Sequence, residues 1–422
     1  HFAVKQLHLQ SHEGYAREVE LFERLGVGSK GKDLDHLIQL QLTYKHGQSY
    51  YLVFPWADGN LLQFWSESSA TPGRLSEIVW LLGQCMGLVR ALRKIHHVSD
   101  DPKSLLDNKY WGRHGDIKPE NILWFKKYEE SQRNFLVISD FGLTRFNSAD
   151  SRSKVAHDSI KGFSGSYRPP EVDLKGTISQ RYDIWSLGCV FLEFVSWFLI
   201  GHNRTKKDFT DARIREDSDH TGLLFVEDKF FNINPSIDGP LPTANVKRSV
   251  TSWIDDLHQQ KNCAEPVHEL LDLIQYTMLV PDSKERWVCS RIQPAIHKLI
   301  LRSRSDAAYA TKGTYGAPDP LRFPSQFLGS QAVRKRTRHL HLLTYMKCRR
   351  SKTQIHLALK RKTSKGIGLC LFRQKLLSVV WDASGPEPTA TEKDHQSSPL
   401  SPPFNHLASL IPSPNQILSW LM

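Results

Sequence analysis

His114-Gly115-Asp116-Ile117-Lys118-Pro119-Glu120-Asn121, followed nineteen residues after Asn121 by Asp140-Phe141-Gly142, is the stretch on which the fold turns. It gathers three carboxylates, an ammonium and an amide in loops beside two short strand-like runs, Ile122–Phe125 and Phe135–Ile138. Moving a phosphoryl group from a nucleotide to a hydroxyl needs that inventory. A carboxylate must accept the hydroxyl proton. An ammonium must balance the charge on the moving group. A hard divalent ion takes oxygen ligands, only one or two of them from the protein. Asp116, Lys118, Asn121 and Asp140 supply these groups in order. Any one of them alone would be an ordinary loop residue.

Upstream, the texture is strand-rich. Phe2 to Leu9 alternates, and residues 13–25 form a helix with Val19, Leu21, Phe22 and Leu25 on its apolar side. Leu37–Tyr44 and Tyr50–Phe54 read as strands around a turn at His46-Gly47, and Pro55 to Gly59 reads as a connector. From there the chain turns helical. Residues 76–97 place Ile78, Leu81, Leu82, Cys85, Met86, Val89, Leu92 and Ile95 on a 3.6-residue period. Helices are predicted again at 182–199, 252–259, 265–279 and 289–302, and the pattern fails after about residue 303. Residues 98–112 and 201–250 read as extra loops without assigned chemistry.

These motifs together resemble the eukaryotic protein kinase family over residues 1–302, and the GRHGDIKPENILWF stretch is similar to that of fungal serine/threonine kinase-like proteins. The resemblance implies an α+β, bilobal fold with a small β-rich lobe and a larger helical one. The domains would be a partial small lobe at 1–54, a hinge at 55–59, a large lobe at 60–302 and a tail at 303–422. It implies Asp116 as catalytic base and Lys118 as phosphate contact, with Asn121 and Asp140 as Mg²⁺ ligands. Ala3 and Lys5 match the strand whose Lys holds the ATP phosphates, and Glu18 fits the ion-pair partner of that Lys. Phe54 would guard the back pocket, and Trp56 and Ala57 would meet adenine. His114, Phe141, Gly142, Glu171, Asp183 and Arg286 match structural positions: a packed spine residue, the DFG motif, an ion pair of Glu171 with Arg286, and a helix Asp bracing the catalytic loop.

Three features depart from the family pattern. The chain opens four residues before Lys5, so the glycine-rich loop is missing, and Gly26-Val27-Gly28-Ser29-Lys30-Gly31 is read as a turn because it follows a helix rather than joining two strands. The opening at His1 suggests a fragment or an incomplete gene reading. Gly115 stands where the family has Arg, which implies that activation-segment phosphorylation is not the main switch. Pro169 replaces Ala ahead of Pro170-Glu171. Lys118, two residues after Asp116, is the serine/threonine arrangement, and Ser164 to Arg168 resembles the segment that shapes the acceptor site.

The chain has 422 residues, 24% charged and 40% hydrophobic, with 56 Lys+Arg against 44 Asp+Glu. That composition excludes collagen-like, coiled-coil and wholly disordered classes. Fourteen of the basic residues and no acidic ones fall in 331–380; taking those 14 from the net +12 leaves −2 for the rest. Arg334–Arg338 and Lys360–Lys365 are open to a nuclear-localisation or nucleic-acid reading, or to a solvated tail, and 383–416 is Pro/Ser-rich and read as disordered. Cysteines 85, 189, 263, 289, 348 and 370 show no CxxC spacing, which argues against a disulfide framework or zinc and for a reducing compartment. The apolar run Cys189 to Ile200 is read as too short to span a bilayer. The reading is therefore an intracellular, cytoplasmic or nuclear, monomeric serine/threonine protein kinase using ATP and Mg²⁺, with a protein substrate and neither membrane nor nucleic acid as partner. The alternatives are a scaffold or inactive remnant that keeps the fold, and a nucleic-acid binder acting through 331–380.

Overall fold

A computed structural model describes residues 1–7, 15–16, 19, 22–23, 25, 36–70, 72–99, 109–128, 132–140, 145–147, 165–221, 226–235, 241–313, 319 and 322. The turn at Gly26–Gly31, the basic stretch 331–380 and the Pro/Ser-rich stretch lie outside them.

The small lobe is a three-stranded antiparallel sheet. Ser49–Pro55 lies in its middle, flanked by Phe2–Leu7 and Leu42–His46. The register sets Ala3 opposite Phe54 and Lys5 opposite Leu52. Leu7, Tyr50 and Leu52 are buried, whereas Phe2 and Val4 alternate onto an exposed face, as a period of two requires. Gly47, at φ +57, opens the two-residue turn to Ser49, a left-handed position that glycine takes without steric cost. The strand expected from Leu37 begins only at Leu42. Leu37 instead makes an isolated parallel bridge to Ile138, and the Ile38 amide donates to the Ile138 carbonyl at 2.9 Å. Burial of Leu37 and Ile38 against the large lobe outweighs their local strand preference. Among the described residues of the 13–25 stretch, Tyr15, Ala16, Val19, Phe22 and Glu23 are helical; Tyr15 stacks on Tyr50 and Phe22 packs on Phe54.

After Pro55 the chain crosses into the large lobe. The Asp58 amide donates to the Trp124 carbonyl, and Gly59 and Asn60 pair with Trp124 and Leu123. Asn60 then starts the helix Leu61–Glu67 with a capping box: its side chain accepts from the Gln63 amide, and the Gln63 side chain accepts from the Asn60 amide. The helix Leu75–His96 packs against Cys289–Ser305, while Arg181–Ile200 runs through the centre and is buried on nearly all its faces. By length and composition both Leu75–His96 and Arg181–Ile200 could cross a membrane, contrary to the reading of the Cys189 run as too short. In the apolar window of Arg181–Ile200, 94% of residues are buried inside the protein, as in a core helix. Cys85, Cys189, Cys263 and Cys289 are buried free thiols.

Parts of 201–250, read as an extra loop, and of the stretch after 303, where the pattern fails, form regular elements. Within 201–250 lie a π-helical turn Arg204–Phe209, the helix Thr210–Thr221 and a hairpin of Phe231–Asn234 with Thr243–Val246. Beyond residue 303 the last long helix runs to Ser305, a short helix Ala307–Thr311 buries Tyr309 and Ala310, and Gly313 bridges Ala264. Arg322 then reaches Glu265 at 2.7 Å and Asp272 at 3.2 Å.

Candidate active site

The strand Lys109–Arg113 delivers the chain to His114, where one buried carboxylate organises the loop. Asp183 Oδ2 accepts from the His114 amide at 2.8 Å, and its Oδ1 accepts from the Gly115 amide at 2.8 Å. His96 Nε2 meets Oδ2 at 2.9 Å, and the sulfur of Cys289 lies 3.6 Å from the other nitrogen of that ring. Burial alone would raise the Asp183 carboxyl; the His96 hydrogen bond and charge, then His114 and the Gly115 amide, hold it below its usual value. Burial alone would lower His96; the Cys289 sulfur and the Asp183 carboxylate outweigh it and raise the imidazole to about 9. Gly115 sits at φ +84, where any side chain is strained, so glycine in place of the expected Arg suits the backbone that Asp183 imposes.

The pinned loop carries a compact polar cluster. Asp116 is 9% exposed, and its Oδ2 lies 2.7 Å from Lys118 Nζ. Asn121 Nδ2 donates both to Asp116 Oδ2 at 2.8 Å and to the Asp116 carbonyl at 2.9 Å. His114 Nδ1 accepts from the Asp116 amide at 3.2 Å, which leaves the proton on Nε2 for the Ser139 carbonyl at 3.0 Å. Both ring nitrogens are thus engaged within the protein, and His114 is wholly buried. The Ser139 amide and hydroxyl both donate to the Asn121 carbonyl, tying the loop to the residue before Asp140. Asp140 itself has φ +59, and its Oδ1 lies 3.7 Å from Lys5 Nζ across the two lobes. Each of that pair is more than a third exposed, so the attraction is screened by water.

The other anticipated positions fall around this cluster. Ala3 pairs with Phe54, Phe54 is half-buried, Ala57 packs on the core and Trp56 is 47% exposed at the connector. Glu171 and Arg286 form a buried two-pronged pair at 2.9 and 3.0 Å, and the same guanidinium donates to the Val280 and Arg181 carbonyls and lies over the Trp185 ring. Glu18, Phe141 and Gly142 lie outside the described residues. His96, Ser139 and Cys289 were not anticipated. The one available signal was His96 extending the apolar stripe of its helix beyond Leu92 and Ile95.

The donor set is compatible with a divalent ion held mostly by other groups. Among the described residues no three His, Cys, Asp or Glu side chains converge as a metal cage. Mg²⁺ held chiefly by phosphate oxygens needs only one or two protein oxygens. Asp140 and Asn121 would be the residues to supply them, since the bonds from Asn121 to Asp116 use its nitrogen and leave the amide oxygen outside those bonds.

A small antiparallel sheet set over a helical lobe, with this polar loop between them, defines the two-lobed architecture of a phosphoryl-transfer domain. The protein kinase domain family matches residues 1–295, and the chain belongs to that family. It is 28% identical over 194 residues to homeodomain-interacting protein kinase 1 of Caenorhabditis elegans, covering 45% of this chain and 20% of that protein. It is 29% identical over 199 residues to the CTD kinase subunit alpha of Schizosaccharomyces pombe, covering 45% and 28%. It is 30% identical over 176 residues to cyclin-dependent kinase 2 of Caenorhabditis elegans, covering 39% of each. The chain thus spans between a fifth and two fifths of the length of these relatives.

Proposed function

We propose that this protein kinase transfers the γ-phosphoryl group of ATP to a serine or threonine hydroxyl of a protein, with Mg²⁺ as cofactor. The observation that carries the reading is the Asp116–Lys118–Asn121 cluster, pinned through the loop backbone by Asp183, with Asp140 and Lys5 facing it. Asp116 receives the acceptor proton as the hydroxyl oxygen bonds to phosphorus and ADP leaves. The 2.7 Å contact with Lys118 orients that carboxylate, and the same ammonium balances charge on the transferring group. ATP and Mg²⁺, when bound, would supply the phosphoryl group and neutralise its oxygens, and Lys5, Asn121 and Asp140 would hold them. Lys118 supports serine/threonine acceptors, and the GRHGDIKPENILWF stretch supports a place among fungal kinases. An intracellular, monomeric protein away from membranes fits the same reading.

Transfer of labelled phosphate from Mg-ATP to a serine/threonine-containing protein, compared with Asp116→Asn and Asp140→Asn, tests the assignment. Each substitution is expected to reduce transfer by roughly two to four orders of magnitude. Equal transfer by all three proteins would overturn it, and nucleotide binding without transfer by the wild type would favour a scaffold.

A further inference from the structure

Tyr167 and Arg168 lie in the segment that, on the kinase reading above, shapes the acceptor site; Arg168 bonds directly to the 204–247 insert, and Tyr167 is linked to it through Glu193 of the core helix. Arg168 is 5% exposed, and its Nε and Nη2 donate to the Asp173 carboxylate at 2.7 and 3.1 Å. Its Nη2 also donates to Glu227 of the insert. Lys229 closes this cluster, at 3.6 Å from Asp173 and 3.4 Å from Glu227.

Asp228, the next insert residue, is linked to Tyr167 indirectly, through Arg213 and Glu193. The Tyr167 hydroxyl donates to Glu193 Oε2 at 2.9 Å, and Glu193 Oε1 lies 3.3 Å from Arg213. Arg213, sandwiched between the Phe209 and Phe230 rings, donates twice to Asp228 at 2.7 and 3.0 Å. The insert is itself fixed: the Glu227 amide donates to Asp217, and Asp217 pairs with the fully buried Lys247 at 3.1 Å.

The guanidinium groups of Arg168 and Arg213 are therefore already paired with insert carboxylates, and Gly115 has no side chain with which the catalytic loop could reach a phosphate. We propose that Glu227 and Asp228 are positioning residues that hold the 165–173 segment in its acceptor-binding shape without phosphorylation, so that the insert sets the affinity for protein substrate. Glu227 is 48% exposed and contributes little alone; the Arg213–Asp228 pair, 1% and 22% exposed, carries more.

The test uses the full chain, before and after phosphatase treatment, beside a Glu227→Gln/Asp228→Asn double variant. Amide hydrogen exchange is followed in residues 165–173, with the core helix Arg181–Ile200 as internal reference. Wild-type protection is expected to survive phosphatase, and the double variant to exchange roughly tenfold faster in 165–173 alone. With phosphate transfer active, KM for the acceptor should rise roughly tenfold while KM for ATP stays put. Unchanged exchange in the variant, equal loss in the reference helix, or loss of protection on phosphatase treatment would overturn the proposal. A wild-type chain that transfers no phosphate would count against the kinase reading, and the exchange comparison would still decide whether the insert holds the segment.

Discussion

Asp183 receives the His114 and Gly115 amides and His96 at once, so a single carboxylate fixes the backbone on which Asp116 stands. Its partner His96 gives the protein a pH-dependent component of stability. The folded-state value of His96, about 9, exceeds its ordinary 6.5. The stabilisation is therefore fully present below about pH 6.5 and is lost as pH rises through 9, on the order of 3 kcal/mol at most. Urea unfolding between pH 6 and 9.5 should show that decline in the wild type and a flatter profile in His96→Asn; identical slopes would refute the assignment. At this scale the clustering of Asp116, Lys118 and Asn121 was legible because they lie within six residues, where spacing alone limits the geometry. His96 and Cys289 were not, because they lie 87 positions before and 106 positions after Asp183, and no local pattern links them to it.

At the scale of elements, period and capping chemistry account for most of what was readable. The 76–97 periodicity became the helix Leu75–His96, and Asn60-Leu61-Leu62-Gln63 carried a capping-box signal ahead of Leu61–Glu67 that the sequence reading passed over. Asn60→Ala should lower stability by about 1 kcal/mol, visible as a fall in thermal midpoint of a few degrees, with Gln63→Ala smaller. A midpoint unchanged in Asn60→Ala would mean that pairing of Gly59 and Asn60 with Trp124 and Leu123, not the cap, sets the start of this helix. The 201–250 stretch resisted reading for a different reason. Its helix Thr210–Thr221 is polar along most of its length, and the residues that fix it are charged side chains such as Arg213 and Asp217, whose partners lie on other elements.

At the scale of the molecule, the large lobe is stapled by contacts between segments far apart in sequence. Glu171 meets Arg286 across 115 positions, and Arg322 reaches back to Glu265 and to the fully buried Asp272. Residues 303–313 and Arg322 therefore belong to the lobe's packing. A chain ending at residue 302 should unfold several degrees below one ending at residue 322, since Asp272 loses a cationic partner and Tyr309 its buried site. Equal melting temperatures would show that this strap adds nothing to the lobe.

The amino-acid sequence by itself determined the two-lobed α+β class and the family, because strand alternation, helical period and the ordered loop motifs are local properties. The pairing of Glu171 with Arg286 and of Asp183 with the loop was also legible, through resemblance of motif. Only the tertiary structure decided that Leu37 bridges Ile138, that Gly115 adopts the left-handed backbone held by Asp183, and that Tyr167 bonds to Glu193 while Arg168 bonds to Glu227 of the insert. Each of these is a choice among partners of similar local preference, and burial and charge pairing made that choice once distant segments met.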